Sequence, residues 1–104
     1  MKRGEIRWYT FSRPDKKRPV LILTRDSVLG YLGEVTVAPI TTTVRDIPSE
    51  VFLSRVEDRM PRDCAVNCDH IQTVQKRKIG ALIGTLSEAK EAAVARAVTF
   101  ALDL

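Results

Sequence analysis

The sequence predicts a mainly β fold, a small antiparallel barrel with one helix at its C-terminus. Six short segments have the alternation or the β-branched composition of strands, and turn residues separate them. Only the C-terminal segment repeats apolar residues at helical spacing. Strands followed by a single helix are expected to pack as a sheet covered by that helix. A chain of 104 residues is predicted to form one domain, spanning 1–104.

The predicted strands differ in how their apolar residues are arranged. Residues 6–11 alternate between two faces and are rich in aromatic side chains. The second strand is apolar through its middle, so both of its faces are expected to be covered. The third contains Pro39, which marks an edge, a bulge or the strand end because proline donates no ladder hydrogen bond. The predicted strands are Gly4–Phe11, Arg18–Thr24, Glu34–Thr41, Glu50–Leu53, Asp63–Val74 and Ile79–Thr85, with a polar turn at Ser12–Lys17 and a loop at Arg25–Gly33.

One long helix is predicted after the last strand. Ser87 has the side chain of an N-cap, and Glu88 and Glu91 follow in the first turn, where the helix dipole favours anions. Apolar residues then recur at three- and four-residue spacing, which predicts one buried face. The predicted face consists of Val94, Ala97, Val98, Ala101 and Leu102.

The positive charge is concentrated at the N-terminus. The formal net charge is +4, and residues 1–18 contain seven Lys and Arg residues but only two Asp and Glu residues. The remaining residues are close to neutral. Such a patch suits a polyanion, because each cation placed beside a phosphate releases a counterion. Nucleic acid is therefore the expected partner, with a solubilising cluster as the alternative.

The sequence also bears on compartment and cysteine chemistry. The longest apolar run, Pro19–Leu23, is too short to span a bilayer, and the charged start Met1–Glu5 is not that of a signal peptide. A cytoplasmic protein is expected. Cys64 and Cys68 are too few for a disulfide framework. Their alternation with Val66 predicts core residues, and a zinc pair is disfavoured because the spacing is unusual.

Two clusters offer groups for binding phosphate. Lys16, Lys17 and Arg18 precede Pro19, which would hold the arginine where loop becomes strand, ready to bind a phosphate with both guanidinium N–H groups. A solvated charge run is the alternative. Three threonines, 41–43, end the third strand, and their hydroxyls could hold a phosphate oxygen or a 2′-hydroxyl, although threonines are also common strand residues.

A third cluster offers groups for proton transfer. If residues 63–74 form one strand, Asn67 and Asp69 project from the face opposite the cysteines. A carboxylate beside a basic cluster could move a proton at a phosphodiester, with a surface pair that has no chemical role as the alternative. His70, the single histidine, falls on the cysteine side and would be buried or at the rim unless a bulge turns it outward. The basic turn that contains Lys76 could add affinity for phosphate.

The order of these clusters resembles one protein family. The motifs are Arg3-Gly-Glu-Ile-Arg-Trp, Arg18-Pro-Val-Leu-Ile-Leu, Val37-Ala-Pro-Ile-Thr-Thr-Thr, Cys68-Asp-His-Ile-Gln-Thr, and Ile83-Gly-Thr-Leu-Ser before a helix. Together they resemble the MazF/PemK toxin family over nearly the whole chain. The resemblance implies an SH3-like antiparallel barrel that works as a homodimer. It also implies a metal-independent endoribonuclease that cuts single-stranded RNA at short sequences, without a cofactor, and an antitoxin whose disordered tail covers the RNA groove.

The resemblance assigns roles residue by residue, with departures. The strand-start arginine of the family falls on Arg18, its strand-end threonine on Thr41, and a carboxylate proposed as a base in the PemK branch on Asp69. The first loop is shorter than in many members. Asn67 and Gln72 occupy positions where the family usually has arginine, so the full acid–base assignment cannot be transferred.

The expected reaction is attack by the RNA 2′-hydroxyl on the neighbouring phosphorus, leaving a 2′,3′-cyclic phosphate and a 5′-hydroxyl. Arg18 would stabilise charge, Thr41 would position the phosphate, and Asp69 or His70 would act as base. A toxin of this kind inhibits translation and growth. The alternatives are a CcdB-like toxin that binds DNA gyrase without catalysis and a generic nucleic-acid-binding barrel. Expected RNA contacts are Lys16, Lys17, Thr42, Thr43, Asn67, His70, Gln72 and Lys76, with Trp8, Tyr9, Phe11 and Tyr31 available for stacking.

Overall fold

The structure, a computed structural model, describes residues 1–12 and 15–104. Seven strands form one antiparallel sheet in the order β4-β5-β3-β2-β1-β7, and β6 also pairs with β3. The sheet curls into a half-barrel, and the long helix packs against β4 and the turn after β5, which confirms the predicted fold class. The elements are β1 Glu5–Ser12, β2 Asp15–Ile22, α1 Asp26–Leu29, β3 Glu34–Thr41, β4 Glu50–Leu53, β5 Cys64–Asn67, β6 Gln72–Gln75, β7 Ile79–Thr85 and α2 Glu88–Leu102, with 3-10 turns at Cys68–His70 and Lys76–Lys78.

The second strand begins earlier than the sequence predicts. β1 and β2 pair as far as Ser12 and Asp15, so most of the predicted polar turn is strand. Arg13 and Pro14, the remainder of that turn, lie outside the described residues. Arg18 is therefore not at the start of a strand but within β2, opposite Tyr9. The prediction of a loop before Arg18 was wrong because sheet pairing with β1 outweighs the polar composition of this segment.

The predicted fifth strand is two strands. β5 pairs with the end of β3 at Ile40 and Thr41, and β6 pairs with the start of β3 at residues 34–37. Pro39 lies between these two stretches and opposite Val20, inside β3 rather than at an edge, a bulge or the strand end, and the pairs of β3 with β5 and β6 do not include it. Between β5 and β6 the chain leaves the sheet in the 3-10 turn Cys68–His70, which the alternation of residue types does not reveal.

The C-terminal helix begins as predicted. The Ser87 side chain accepts a hydrogen bond from the backbone N–H of Lys90 at 3.2 Å, which caps α2. Val94 and Ala97 are buried, and Val98 and Ala101 are half-buried against the same core. Leu102 is 54% exposed, contrary to the prediction, because at about 100° per residue it lies about 80° around the helix from Val94.

Two apolar cores lie on the two faces of β2. Val20 and Ile22 pack with β3 and β6 residues, whereas Leu21 packs with Cys64, Cys68 and the helix. Both faces of this strand and both cysteines are buried, as predicted. Within the described residues, no helix is long and apolar enough to cross a membrane. α1, a single turn in the predicted loop, was not anticipated, since its four residues carry no periodic signal.

Candidate active site

A cleft of about 370 Å³ opens where β2, the end of β3 and the turn after β5 meet. Lys16 and Arg18 share one face of β2, and the register that pairs Val20 with Pro39 brings Arg18 level with Thr41. The sheet thus brings together residues that are far apart in sequence. The described residues that line this first cleft are Phe11, Lys16, Arg18, Pro39, Ile40, Thr41, Asn67, His70 and Gln72.

Arg18 and Thr41 both offer hydrogen-bond donors to an anion in this cleft. Arg18 is exposed, and among the side chains that the structure describes it forms no ion pair. The Thr41 hydroxyl oxygen accepts a hydrogen bond from the backbone N–H of Thr43 at 3.0 Å. Because that bond uses a lone pair, the hydroxyl proton is left for an acceptor in the cleft.

The turn after β5 orients His70 toward this cleft. The Asn67 side-chain oxygen accepts the backbone N–H of Asp69 at 3.0 Å, and the backbone N–H of Cys68 donates to the carbonyl of Ser49 at 2.9 Å. These hydrogen bonds hold residues 68–70 in a 3-10 turn instead of a strand. His70 is consequently exposed and lines the first cleft, so the prediction that it faces the cysteine side was wrong.

Asp69 has a different environment from His70. Its Oδ2 accepts a hydrogen bond from the Ser49 hydroxyl at 2.5 Å, and Ser49 is only 3% exposed. Asp69 is not among the described residues that line the first cleft. Ser49 was missed from sequence, because a serine 20 positions before its partner leaves no local pattern.

A second cleft, also of about 370 Å³, adjoins the first and shares Arg18, Ile40 and Thr41 with it. Its walls combine apolar side chains, including Trp8 and Met60, with cations. The Lys17 ammonium lies 5.1 Å from the Trp8 ring centroid, a cation–π contact. The other described lining residues are Lys17, Pro19, Thr42, Thr43, Pro61, Arg62 and Cys64.

The structure separates one predicted contact from these two clefts. The backbone N–H of Lys76 bonds to the carbonyl of Gly33, and its ammonium donates to the carbonyl of Leu29. Both partners belong to the region around α1 and the start of β3, whereas Thr41 lies at the end of β3. Arg62, which the sequence analysis did not single out, lies beside the second cleft instead.

The two cysteine thiols are protonated core groups. Burial, together with the negative charges of Asp69 and Glu50, raises the pKa of Cys68 to about 11. Burial, with Asp58 and Asp63, likewise raises the pKa of Cys64 to about 11. Neither thiol is set up as a nucleophile at neutral pH. Among the described residues, no group of three or more His, Cys, Asp or Glu side chains is arranged to hold a metal ion.

The curled sheet and the terminal helix thus carry two adjoining clefts that are lined in part by basic side chains. The profile of the family described as "PemK-like, MazF-like toxin of type II toxin-antitoxin system" matches residues 2–102. The chain belongs to this family.

Individual relatives agree with this assignment. "Endoribonuclease MazF3" of Mycobacterium tuberculosis is 47% identical over 90 residues, which are 86% of each chain. "Probable endoribonuclease MazF2" of the same species is 43% identical over the same share. The solved structure of "Mycobacterium tuberculosis toxin MazF-mt6" is 43% identical with a TM-score of 0.86, covering 96% of this chain and 97% of that one. A mycobacterial "Endoribonuclease in complex with its cognate antitoxin" is 26% identical with a TM-score of 0.89, covering 100% and 96%.

Proposed function

We propose that this chain is a toxin that cleaves single-stranded RNA endonucleolytically at short sequences, leaving a 2′,3′-cyclic phosphate and a 5′-hydroxyl. The observation that carries the proposal is the meeting of Arg18, Thr41 and His70 in one open, basic cleft. The names of the relatives, endoribonucleases at 43–47% identity, support the same reaction class. They also argue against the alternative of a toxin that only binds DNA gyrase.

In this reaction the 2′-hydroxyl of the RNA is the nucleophile, so the protein supplies alignment, charge and proton transfer. Arg18 would bind the non-bridging oxygens of the scissile phosphate and stabilise the charge that grows on them. Thr41 would donate its free hydroxyl proton to one of those oxygens. Because Arg18 supplies the positive charge, we propose that cleavage needs no metal ion.

One group must accept the proton of the 2′-hydroxyl. Arg18 is a poor base because its guanidinium stays protonated in proteins. Asp69 and His70 follow each other at the turn after β5, and either could act in principle. Proton acceptance by either residue would complete the proposed reaction, since both belong to this turn.

The second cleft would hold a nucleotide next to the scissile bond. It adjoins Arg18 and Thr41, and its apolar wall contains the Trp8 ring, on which a base can stack. Lys17 and Arg62 would contact the backbone or the edge of that base. We propose that this cleft contributes to the sequence preference of cleavage, with Thr42 and Thr43 as hydrogen-bonding groups at its wall.

The proposed partners follow from family membership. A cognate antitoxin would cover the clefts and block RNA, since the structure of one relative is described as a complex with its cognate antitoxin. We further propose a homodimer, in which two shallow clefts related by a two-fold axis hold a longer stretch of RNA. Cleavage of cellular RNA in the cytoplasm would then stop translation and growth.

The test is a cleavage assay on a long single-stranded RNA and its DNA equivalent, both in EDTA, with the product ends mapped. We expect discrete cuts in RNA, 5′-hydroxyl ends, and intact DNA because DNA has no 2′-hydroxyl. Arg18→Ala should lower the rate on the order of 10²–10³-fold, as removal of one preorganised charge stabiliser does. Arg96→Ala, which removes an exposed arginine from α2, is the matched control and should cut normally.

Two outcomes would contradict the proposal. If the RNA stays intact although all the proteins are folded, the chain is a non-catalytic binder. Inhibition of gyrase would then be measured next. Equal cleavage by Arg18→Ala and the wild-type protein would remove Arg18 from the reaction. Light scattering that gives a monomer at micromolar concentration would contradict the dimer alone.

A further inference from the structure

We infer that Asp69 is a positioning residue and that His70 is the proton-transfer group of the Arg18–Thr41 cleft. This inference rests on the proposed ribonuclease function and deepens it. It departs from the role that the family resemblance suggests for Asp69. It is carried by the geometry of the turn after β5 and by the contacts of the Asp69 carboxylate.

The side chains of Asp69 and His70 point in different directions. In a 3-10 turn there are about three residues per turn, so neighbouring side chains point about 120° apart. Asp69 and His70 are neighbours in such a turn, so their side chains diverge. His70 lines the first cleft with Arg18 and Thr41, and Asp69 does not.

The Asp69 carboxylate has a buried partner. Its Oδ2 accepts the hydroxyl of Ser49 at 2.5 Å, and Ser49 is almost fully buried. Hydrogen bonds to an ionised acceptor are short and strong, so this one anchors the side chain. The carboxylate also lies close enough to the Cys68 thiol, on the core side of the turn, to disfavour its ionisation. Although Asp69 is an exposed residue, its Oδ2 is thus held at Ser49, next to the start of β4.

This anchor belongs to a set of hydrogen bonds that holds the whole turn. The carbonyl of Ser49 accepts the backbone N–H of Cys68 at 2.9 Å, and the Asn67 side chain accepts that of Asp69 at 3.0 Å. Helix α2 packs against the turn as well. Ser49 thus holds the turn through its side chain and its backbone, and His70 is the residue that this arrangement presents to the cleft.

His70 has the chemistry that the step requires. A neutral imidazole nitrogen takes the proton of the 2′-hydroxyl while the 2′-oxygen forms its bond to phosphorus. The bond between phosphorus and the 5′-oxygen breaks, the electron pair leaves with that oxygen, and the oxygen takes a proton from water. The imidazolium returns its proton to solvent. Lys16 and Arg18, which line the same cleft, would hold the phosphate beside the imidazole.

Substitutions at residue 69 separate positioning from proton transfer. Asp69→Asn keeps an oxygen that can accept the Ser49 hydroxyl but cannot act as a base. We expect it to retain cleavage within about fivefold, since a neutral acceptor makes a bond about half as strong as an ionised one. Asp69→Ala and Ser49→Ala should lower kcat by at least about tenfold with little change in KM. His70→Gln should lower kcat on the order of 10²–10⁴-fold.

His70 also provides a readout that does not depend on cleavage. It is the only histidine of the chain, so its ring signals in an NMR spectrum of the untagged protein need no further assignment. A non-cleavable RNA with a 2′-deoxy scissile nucleotide should shift these signals in the wild-type protein and in Asp69→Asn. The shift should be lost or altered in Asp69→Ala and Ser49→Ala, whose folding is checked by thermal melting.

The outcomes that overturn the inference differ from those that overturn the function. If Asp69→Asn is as inactive as Asp69→Ala while the wild-type protein cleaves, Asp69 acts through its charge and the inference fails. It also fails if Asp69→Ala or His70→Gln cleaves at the wild-type rate. If the wild-type protein cleaves no RNA, the proposed function fails instead.

Discussion

Arg45 binds the carboxylate of Glu50 with its backbone and its side chain. The backbone N–H donates to Oε1 at 2.9 Å, and the guanidinium Nε and Nη2 lie 2.8 Å from Oε2. The Glu50 side chain is 2% exposed. This pair closes the segment between β3 and β4, which begins next to Thr41 and contains Ser49. It therefore connects the loop that carries the threonines of the clefts to the residue that holds Asp69.

Removing the Arg45 side chain should destabilise this loop. Arg45→Ala leaves a buried carboxylate with only its backbone bond, and we expect a loss of about 2 kcal/mol in the free energy of unfolding. Urea denaturation measures it. Arg77→Ala, an exposed arginine in the turn before β7, should change stability by less than about 0.5 kcal/mol. Equal effects of the two substitutions would show that the pair contributes no stability.

Lys16 should contribute to RNA affinity through charge. Lys16→Ala should weaken binding to a non-cleavable single-stranded RNA and reduce the slope of log affinity against log salt by about 0.7, the value for one phosphate contact. Lys76→Ala should leave that slope unchanged, because the structure directs this ammonium to the carbonyl of Leu29. Filter binding at several salt concentrations measures this slope for each variant. A reduced slope for Lys76→Ala would place RNA on the basic turn as well.

The N-cap of the long helix is a test of the fold itself. Ser87→Ala removes the acceptor for the N–H of Lys90 and should lower the free energy of unfolding by about 1 kcal/mol. Ser87→Asp keeps an acceptor and adds a charge that the helix dipole favours, so it should be at least as stable as the wild-type protein. Thermal melting of the three proteins compares them. A melting temperature of Ser87→Ala equal to that of the wild-type protein would contradict the cap.

The buried thiols predict a loss of stability in alkali. The pKa values of Cys64 and Cys68 rise from 9.0 to about 11 on folding, so the folded state keeps these protons more tightly than the unfolded state. The stabilisation is complete below pH 9 and is lost as the pH rises toward about 11. Each thiol adds at most about 1.4 kcal/mol per pH unit to the slope.

Denaturation midpoints at about pH 8, 9.5 and 10.5 would measure this loss. These values run from below the thiol pKa of the unfolded state to close to that of the folded state. The variant that carries Cys64→Ala and Cys68→Ala is the control, because its lysines and tyrosines titrate as in the wild-type protein. The free energy of unfolding of this variant should fall less steeply with rising pH than that of the wild-type protein. Equal slopes in the two proteins would mean that the thiols ionise equally easily in both states.

Local sequence patterns predicted most strands and the helix because they depend on neighbouring residues. The apolar middle of β2 predicted burial on both faces, and Ser87 predicted where α2 begins. The same patterns failed at residues 68–70. There the turn depends on Ser49, 20 positions away from Asp69, and a partner so distant leaves no trace in the alternation of residue types.

The sequence by itself determined the fold class, the family resemblance and the choice of Arg18 and Thr41, since these rest on short motifs and on periodicity. Only the tertiary structure decided which side chains share a cleft. Sheet register placed Arg18 level with Thr41, and one buried hydroxyl holds the Asp69 carboxylate while the exposed His70 lines the cleft. The physical reason is that side-chain direction depends on hydrogen bonds between distant segments, whereas propensity and periodicity depend on neighbours along the chain.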